Sequence, residues 1–308
     1  MKLTPRVRQI LDGYEAETSG TKANLARMLM QGRLGGTGRM VILPVDQGFE
    51  HGPARSFAVN PDAYDPHFHY QLAIDSGCNA YAAPLGALEA GADTFAGAIP
   101  LILKINSSNS LTGAKDQSIN ASVKDALRLG CSAIGFTIHP GSDHMLEMQE
   151  EITALSREAK EYGIATVIWS YIRGGKISKD GETAIDTVAY GAHMAALLGA
   201  HIIKVKLPTD HLELPEAKKV YEEKKIPIAT QAERVRHIMK SSFNGRRLVV
   251  FSGGAAKDEN SVYEDARAIY EGGGNGSIIG RNSFQRPRDE ALAMLDRIMQ
   301  IYLGKDVR

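Results

Sequence analysis

From about residue 40 onward the chain alternates short apolar runs with longer stretches of helical periodicity. The runs Met40–Val45, Ala80–Pro84, Pro100–Ile105, Ala133–Ile138, Ala165–Ser170, Ile202–Leu207, Leu248–Phe251 and Ser277–Ile279 are β-branched and nearly continuous. Strands of a parallel sheet, covered on both faces, read this way. Between them, Pro66–Ser76, Ser118–Leu129, His144–Tyr162, Thr183–Leu198 and Ser261–Glu271 are expected to be helices, most with a glycine as the stop. Ser76-Gly77-Cys78, Leu129-Gly130-Cys131 and Leu198-Gly199-Ala200 repeat one form of helix-to-strand junction. Eight strand–helix units suit a closed (β/α)₈ TIM barrel better than a doubly wound sheet. The expected division is an N-terminal helical extension over 1–38, with helices at Pro5–Tyr14 and Thr21–Gln31, and a barrel domain over 39–308. Leu25, Met28, Leu29 and Leu34 form an apolar stripe, expected to pack at a subunit interface.

The run His201–Leu207 departs from the apolar pattern. Lys204 and Lys206 lie two apart, so in a strand they share a face. An ammonium on a core face has a partner or a task. A lysine in a dry pocket loses its proton more readily, and its free amine attacks carbonyls to form a Schiff base. The bland reading is a lysine paired with a carboxylate at the strand end, or one snorkelling to water.

In a barrel, reacting groups gather at the C-terminal strand ends. Asp46, followed by Gln47, Gly48, Glu50 and His51, ends the first strand and offers a counter-charge, or else a simple turn carboxylate. Lys104 ends the third and suits a phosphate, a charge network or a structural bond equally. His139 reads as a loop histidine. Trp169 and Tyr171 share a face at the fifth strand's end, as a water-excluding wall and a proton relay, or as two core aromatics. Ser252-Gly253-Gly254 and Gly280-Arg281 follow strands seven and eight, where glycine backbone and a guanidinium suit phosphate.

The 308 residues carry 36 basic and 36 acidic side chains, so no global basicity argues for nucleic acid or a membrane surface. The start is charged, without the apolar core of a signal peptide, and no run is long enough to span a membrane; a cytoplasmic location is expected. Cys78 and Cys131 read as small buried hydrophobes, not a disulfide. The nine histidines include no HExxH, and no clustered His/Glu set suggests a metal or other cofactor.

Gly32–Gly38 followed by Ile42–Gly48 with Glu50-His51, then Trp169-Ser170-Tyr171, Ile202–Lys206 and Ser252–Ala256, resemble the archaeal-type class I fructose-1,6-bisphosphate aldolases, also found in bacteria. The resemblance runs from about Gln31 to Tyr302 in the family's order and spacing. It implies a metal-independent, homo-oligomeric lyase of glycolysis and gluconeogenesis, interconverting fructose 1,6-bisphosphate with dihydroxyacetone phosphate and glyceraldehyde 3-phosphate. It implies Lys204 as the Schiff-base lysine, Tyr171 as the proton-transfer residue, Asp46 as the carboxylate near the lysine and Trp169 as the aromatic beside the substrate. Gln47, His51, Lys104, Lys206, Ser252, Gly253, Gly254, Gly280 and Arg281 are the expected substrate and phosphate contacts. Two rivals stay open: a related Schiff-base aldolase or transaldolase acting on another sugar phosphate, and a sugar-phosphate-binding barrel without chemistry.

Overall fold

The computed structural model describes residues 2–112, 116–252 and 258–305. Eight parallel strands close into a barrel: β1 (Met40–Pro44), β2 (Ala80–Pro84), β3 (Leu101–Lys104), β4 (Ala133–Ile138), β5 (Ala165–Ser170), β6 (Ile202–Lys206), β7 (Leu248–Ser252) and β8 (Gly276–Ile278). They follow one another around the ring in chain order, and β8 closes on β1 through Met40 opposite Gly276. Every expected strand is present, within a residue or two of its expected bounds.

Alternation along the strands sorts side chains between two packed layers. On β6, Ile202 faces the barrel interior while Ile203 and Val205 face the surrounding helices. The outer layer is covered by long helices, including Pro66–Ser76, Met145–Glu161, Ile185–Leu197, Gln231–Ser241, Glu259–Glu271 and Arg288–Tyr302. Left-handed glycines end two of them at the repeated junctions, Gly77 at φ 78° and Gly199 at φ 87°. The helix expected over Ser118–Leu129 is shorter. Ser122 caps a helix over Val123–Arg128 in a reciprocal capping box with Asp125, while Ser118–Ile119 pairs antiparallel with Asn106–Ser107.

The N-terminal helices, α1 (Pro5–Asp12) and α2 (Ser19–Met30), are capped by Thr4 and Thr18. Their apolar residues Val7, Leu11, Leu25, Met28 and Leu29 join the inward-facing Met40, Ile42, Ala80, Ile202 and Leu248 in one core cluster. They plug the end of the barrel away from the strand C-termini. The stripe expected to form a subunit interface is therefore buried against its own barrel: Leu25, Met28, Leu29 and Leu34 are all 0 % exposed. The apolar area needed a lid, and the chain supplies it. Tyr14, after α1, ties this lid to two strands by donating to His201 O and accepting from Leu248 N.

Candidate active site

Asp46 ends the first strand segment, and its side chain makes no cap bond to the short helix Gln47–His51 that follows. It opens instead into a cleft lined by Asp46, Gln47, Glu50, His51, Tyr171, Arg173, Lys204, Lys206, Ser252, Gly280 and Arg281. All of these lie at or just beyond the strand C-termini. Its free volume is about 90 Å³, so its own side chains largely fill it.

The two lysines of β6 share a face, as their spacing requires, but sit in different surroundings. Lys204 is 5 % exposed, directly across from Trp169 in the β5–β6 register. Its Nζ lies 5.8 Å from the Trp169 ring centre and 5.2 Å from that of Tyr171. Among the described residues no carboxylate comes within 4.0 Å of it. Burial is the main influence on its pKa, which is lowered to about 8, with Asp46 and Glu50 opposing. Lys206, nearer the mouth, has Glu182 at 3.5 Å and fits the bland reading of a strand-end ion pair. It still lines the cleft.

Lys104 points inward but does not line the cleft. It is fully buried, bonded to Asn106 O and, at 3.0 Å, to Asn106 Oδ1, with its Nζ 5.9 Å from the Trp169 ring centre. Burial lowers its pKa, while Asp46 and Glu50 oppose. Of its three open readings, the bonds to Asn106 match the structural one, with Asp46 and Glu50 acting on it only through their charge.

Trp169 lies across the barrel interior, 1 % exposed, with its indole Nε1 buried and lacking an acceptor among the described residues. Gln47 Oε1 is likewise buried and unpaired. Of these two residues, Gln47 lines the cleft. Tyr171 is hydrogen-bonded to Ser252, and burial, followed by the charges of Asp46 and Glu50, pushes its phenol well above the ordinary value. It rests as a neutral proton donor.

Three charged groups were not singled out from the sequence. Glu50 sits in the cleft with its pKa raised, by burial first and then by Asp46. Arg173 lines the cleft 5.6 Å over the Tyr171 ring, and Glu182 holds Lys206. Glu50 lay in a quoted motif without a role; Arg173 and Glu182 lie in the loop region after β5, where periodicity says nothing. His51 lines the cleft, its pKa lowered by burial and then by Arg55 and Arg281. His139, read as a loop residue, is buried: its Nδ1 is 3.2 Å from Tyr171 O and its Nε2 3.1 Å from Gln117 Nε2. It props the backbone of the Tyr171 segment.

Gly280 precedes the short helix Arg281–Phe284, and a Cβ there would come within 2.8 Å of Pro44 O. Ser252 and Arg281 reach the cleft. Gly253 and Gly254 lie outside the described residues. Among the described residues no group of three or more His, Cys, Asp or Glu side chains is arranged to hold a metal. His67 and His69 share a helix but bond separately, to Ala90 O and Ala63 O.

A buried, carboxylate-free lysine amine beside a neutral phenol, ringed by cations, is an arrangement for carbonyl addition to an anionic substrate. Comparison with known proteins bears on this directly. Residues 40–286 match the model of the DeoC/LacD family of aldolases. The chain belongs to that family. A probable class 1 fructose-bisphosphate aldolase of Chlamydia muridarum is 36 % identical over 300 residues, 92 % of this chain and 85 % of the relative. A class 1 fructose-bisphosphate aldolase of Thermoproteus tenax is 37 % identical over 251 residues, 81 % of this chain and 84 % of the relative. A solved Schiff-base-forming fructose-1,6-bisphosphate aldolase superposes with a TM-score of 0.75 at 31 % identity, covering 91 % of this chain and 99 % of that one. In this aldolase the residues lining the cleft gather at or just beyond the strand C-termini.

Proposed function

We propose that the chain is a class I, Schiff-base-forming fructose-1,6-bisphosphate aldolase with Lys204 as its nucleophile. The observation that carries this is Lys204 itself, buried with its pKa lowered to about 8 and without a carboxylate partner, while its neighbour Lys206 is paired. At pH 7 a pKa of about 8 leaves roughly a tenth of the amine unprotonated, several hundredfold more than an ordinary lysine.

The neutral amine adds to the C2 carbonyl of the open-chain ketose. The carbinolamine loses its oxygen as water, the proton coming from the Lys204 ammonium by way of the Glu50 carboxylate in the cleft. The resulting iminium accepts the electron pair of the C3–C4 bond as that bond breaks, giving an enamine and an aldehyde. The C4 hydroxyl proton passes to the Tyr171 oxygen as Tyr171 hands its own proton on to the Glu50 carboxylate in the cleft. In the condensing direction the Tyr171 phenol returns it to the forming alkoxide, a step suited to a phenol held neutral at rest. Asp46 stands as the fixed counter-charge to the lysines. Trp169 keeps water from the iminium.

Five cationic side chains, Lys104, Lys204, Lys206, Arg173 and Arg281, outnumber the carboxylates Asp46, Glu50 and Glu182 in and around the cleft. A doubly phosphorylated substrate offsets that surplus. Ser252 and Arg281 hold one phosphate, and Lys206 with Arg173 meets the other. The wider role is glycolytic and gluconeogenic, in a homo-oligomer.

The direct test is a cleavage assay that couples dihydroxyacetone phosphate formation to NADH oxidation, run with excess chelator. Turnover of fructose 1,6-bisphosphate unaffected by chelator is expected. No turnover, with activity instead on another ketose phosphate, would replace the substrate.

A further inference from the structure

At the opposite end of the barrel, between α1 and the helix Gln231–Ser241, lies a cavity of about 620 Å³, well within the range of small-molecule sites. Arg6, Arg236, Lys240, Arg246 and Arg247 line it, and no carboxylate does. Among the described residues only Arg246 has an acidic partner within 4.0 Å, the exposed Glu15 at 3.2 Å. Arg236 feels Glu233 at longer range and donates to Glu271 O. Five cations converging on a concave wall repel one another, and an anion entering there gains from all of them.

Arg247 is the cation held most firmly, while Arg6, Arg236, Lys240 and Arg246 are exposed along the wall. The Arg247 guanidinium sits 5.0 Å over the Tyr14 ring and 5.1 Å over Phe243, and donates to Gly13 O at 3.1 Å and Arg246 O at 2.9 Å. Phe243 (φ 57°), Asn244 (φ 54°) and Gly245 (φ 79°) run left-handed in succession, turning the chain from the helix into β7 and setting the direction of Arg246 and Arg247. Ile10, Met239 and Leu248 supply apolar floor. Arg236 and Lys240, one helical turn apart, also face a second concavity of about 490 Å³ that contains Lys224 and Lys225.

We infer that the cavity walled by Arg6, Arg236, Lys240, Arg246 and Arg247 binds a small, multiply charged anion, with a di- or triphosphate as the matching chemistry. Three observations favour a small ligand over a nucleic acid or an acidic protein. The basic groups converge on a hollow rather than spread along a ridge. The guanidiniums suit bidentate phosphate recognition. The chain as a whole carries no net charge to steer a macromolecular polyanion. The site is remote from the reacting lysine, so it does not depend on the aldolase reading.

The test is titration calorimetry of the full chain with inorganic pyrophosphate, at fixed low ionic strength. Three variants are compared with the unchanged chain. R236Q/K240Q removes two cavity charges. K218Q/K219Q removes two exposed charges from the helix Pro215–Glu223. R281Q weakens anion binding at the catalytic mouth. We expect one class of pyrophosphate sites to weaken at least tenfold in R236Q/K240Q and to persist in the other two. Pyrophosphate binding that is unchanged in R236Q/K240Q, equally weakened in K218Q/K219Q, or lost only in R281Q overturns the proposal. So does binding of heparin, without pyrophosphate, that depends on Arg236 and Lys240.

Discussion

Gly135 of β4 leaves the space that the Trp169 ring of β5 occupies: a Cβ on Gly135 would lie 2.1 Å from Trp169 Cζ3. The indole lies in the inner core of the barrel, level with Lys204 in the strand register and with its ring centre 5.8 Å from the Lys204 Nζ. One missing side chain therefore sets the position of the ring beside the reacting amine. Gly135→Ala forces the ring to move in a packed interior, and overpacking of this kind costs about 1–3 kcal/mol. The expected outcome is a lower urea midpoint together with a fall in kcat of roughly tenfold or more, since a displaced ring misplaces the groups it touches. A variant as active and as stable as the unchanged chain would mean that Trp169 shifts freely.

Lys204 gives the site a pH dependence with a definite sign. Its amine is protonated in the folded chain only below about 8, whereas in the unfolded chain it stays protonated up to its ordinary 10.5. Between those values the unfolded state binds more protons, so this group's contribution to stability rises with pH across the window. Below about 8 burial of the charged form is a standing cost of about 3 kcal/mol. Lys204→Met removes that cost, so the variant is expected to be inactive yet no less stable at pH 7, as read by denaturant unfolding. In the unchanged chain, the rate of imine formation is expected to climb with pH and level off above about 8.

Tyr14 joins the N-terminal lid to β6 and β7 through a single hydroxyl. Tyr14→Phe removes the hydroxyl shared by the His201 carbonyl and the Leu248 N–H, which keep their own 3.3 Å bond, so the cost is that of a lost buried hydrogen bond, about 0.5–1.5 kcal/mol. Because β6 carries Lys204, hydrogen exchange at Ile202 and Ile203 is expected to quicken along with the loss of stability. Protection that is unchanged there would show that the lid and β6 are independent.

Arg173 and Arg281 are expected to act mainly on binding of the charged ends. Charge-assisted bonds contribute about 1.5–3 kcal/mol each, so Arg173→Gln and Arg281→Gln should each raise KM about 10- to 100-fold. Lys206→Gln, which loses a phosphate contact already shared with Glu182 while Arg173 remains, should raise it less and leave the Schiff base intact.

Much of this site can be read from the chain because strand parity is a local property. Two lysines two apart on an apolar run must share a face, and β6 keeps that relation. Which of them is free is not local: it depends on Glu182, brought to Lys206 by the loop region after β5. Lys104 shows the same limit, since its inward direction is legible but its bond to Asn106 follows from a backbone turn. Arg173 was invisible for want of any periodicity. The N-terminal stripe announced that Leu25, Met28 and Leu29 need burial, but a pattern says how much apolar surface must be covered and not by what. Here the barrel's own interior covers it.

The central claim is that Lys204, not Lys206, attacks the substrate carbonyl. Incubation with fructose 1,6-bisphosphate and sodium borohydride, followed by intact-mass measurement and peptide mapping, tests it directly. The account predicts one stable adduct, on the Lys204 side chain, present in Lys206→Gln and absent in Lys204→Met. An adduct that persists in Lys204→Met, or none with this substrate or with dihydroxyacetone phosphate, would contradict it.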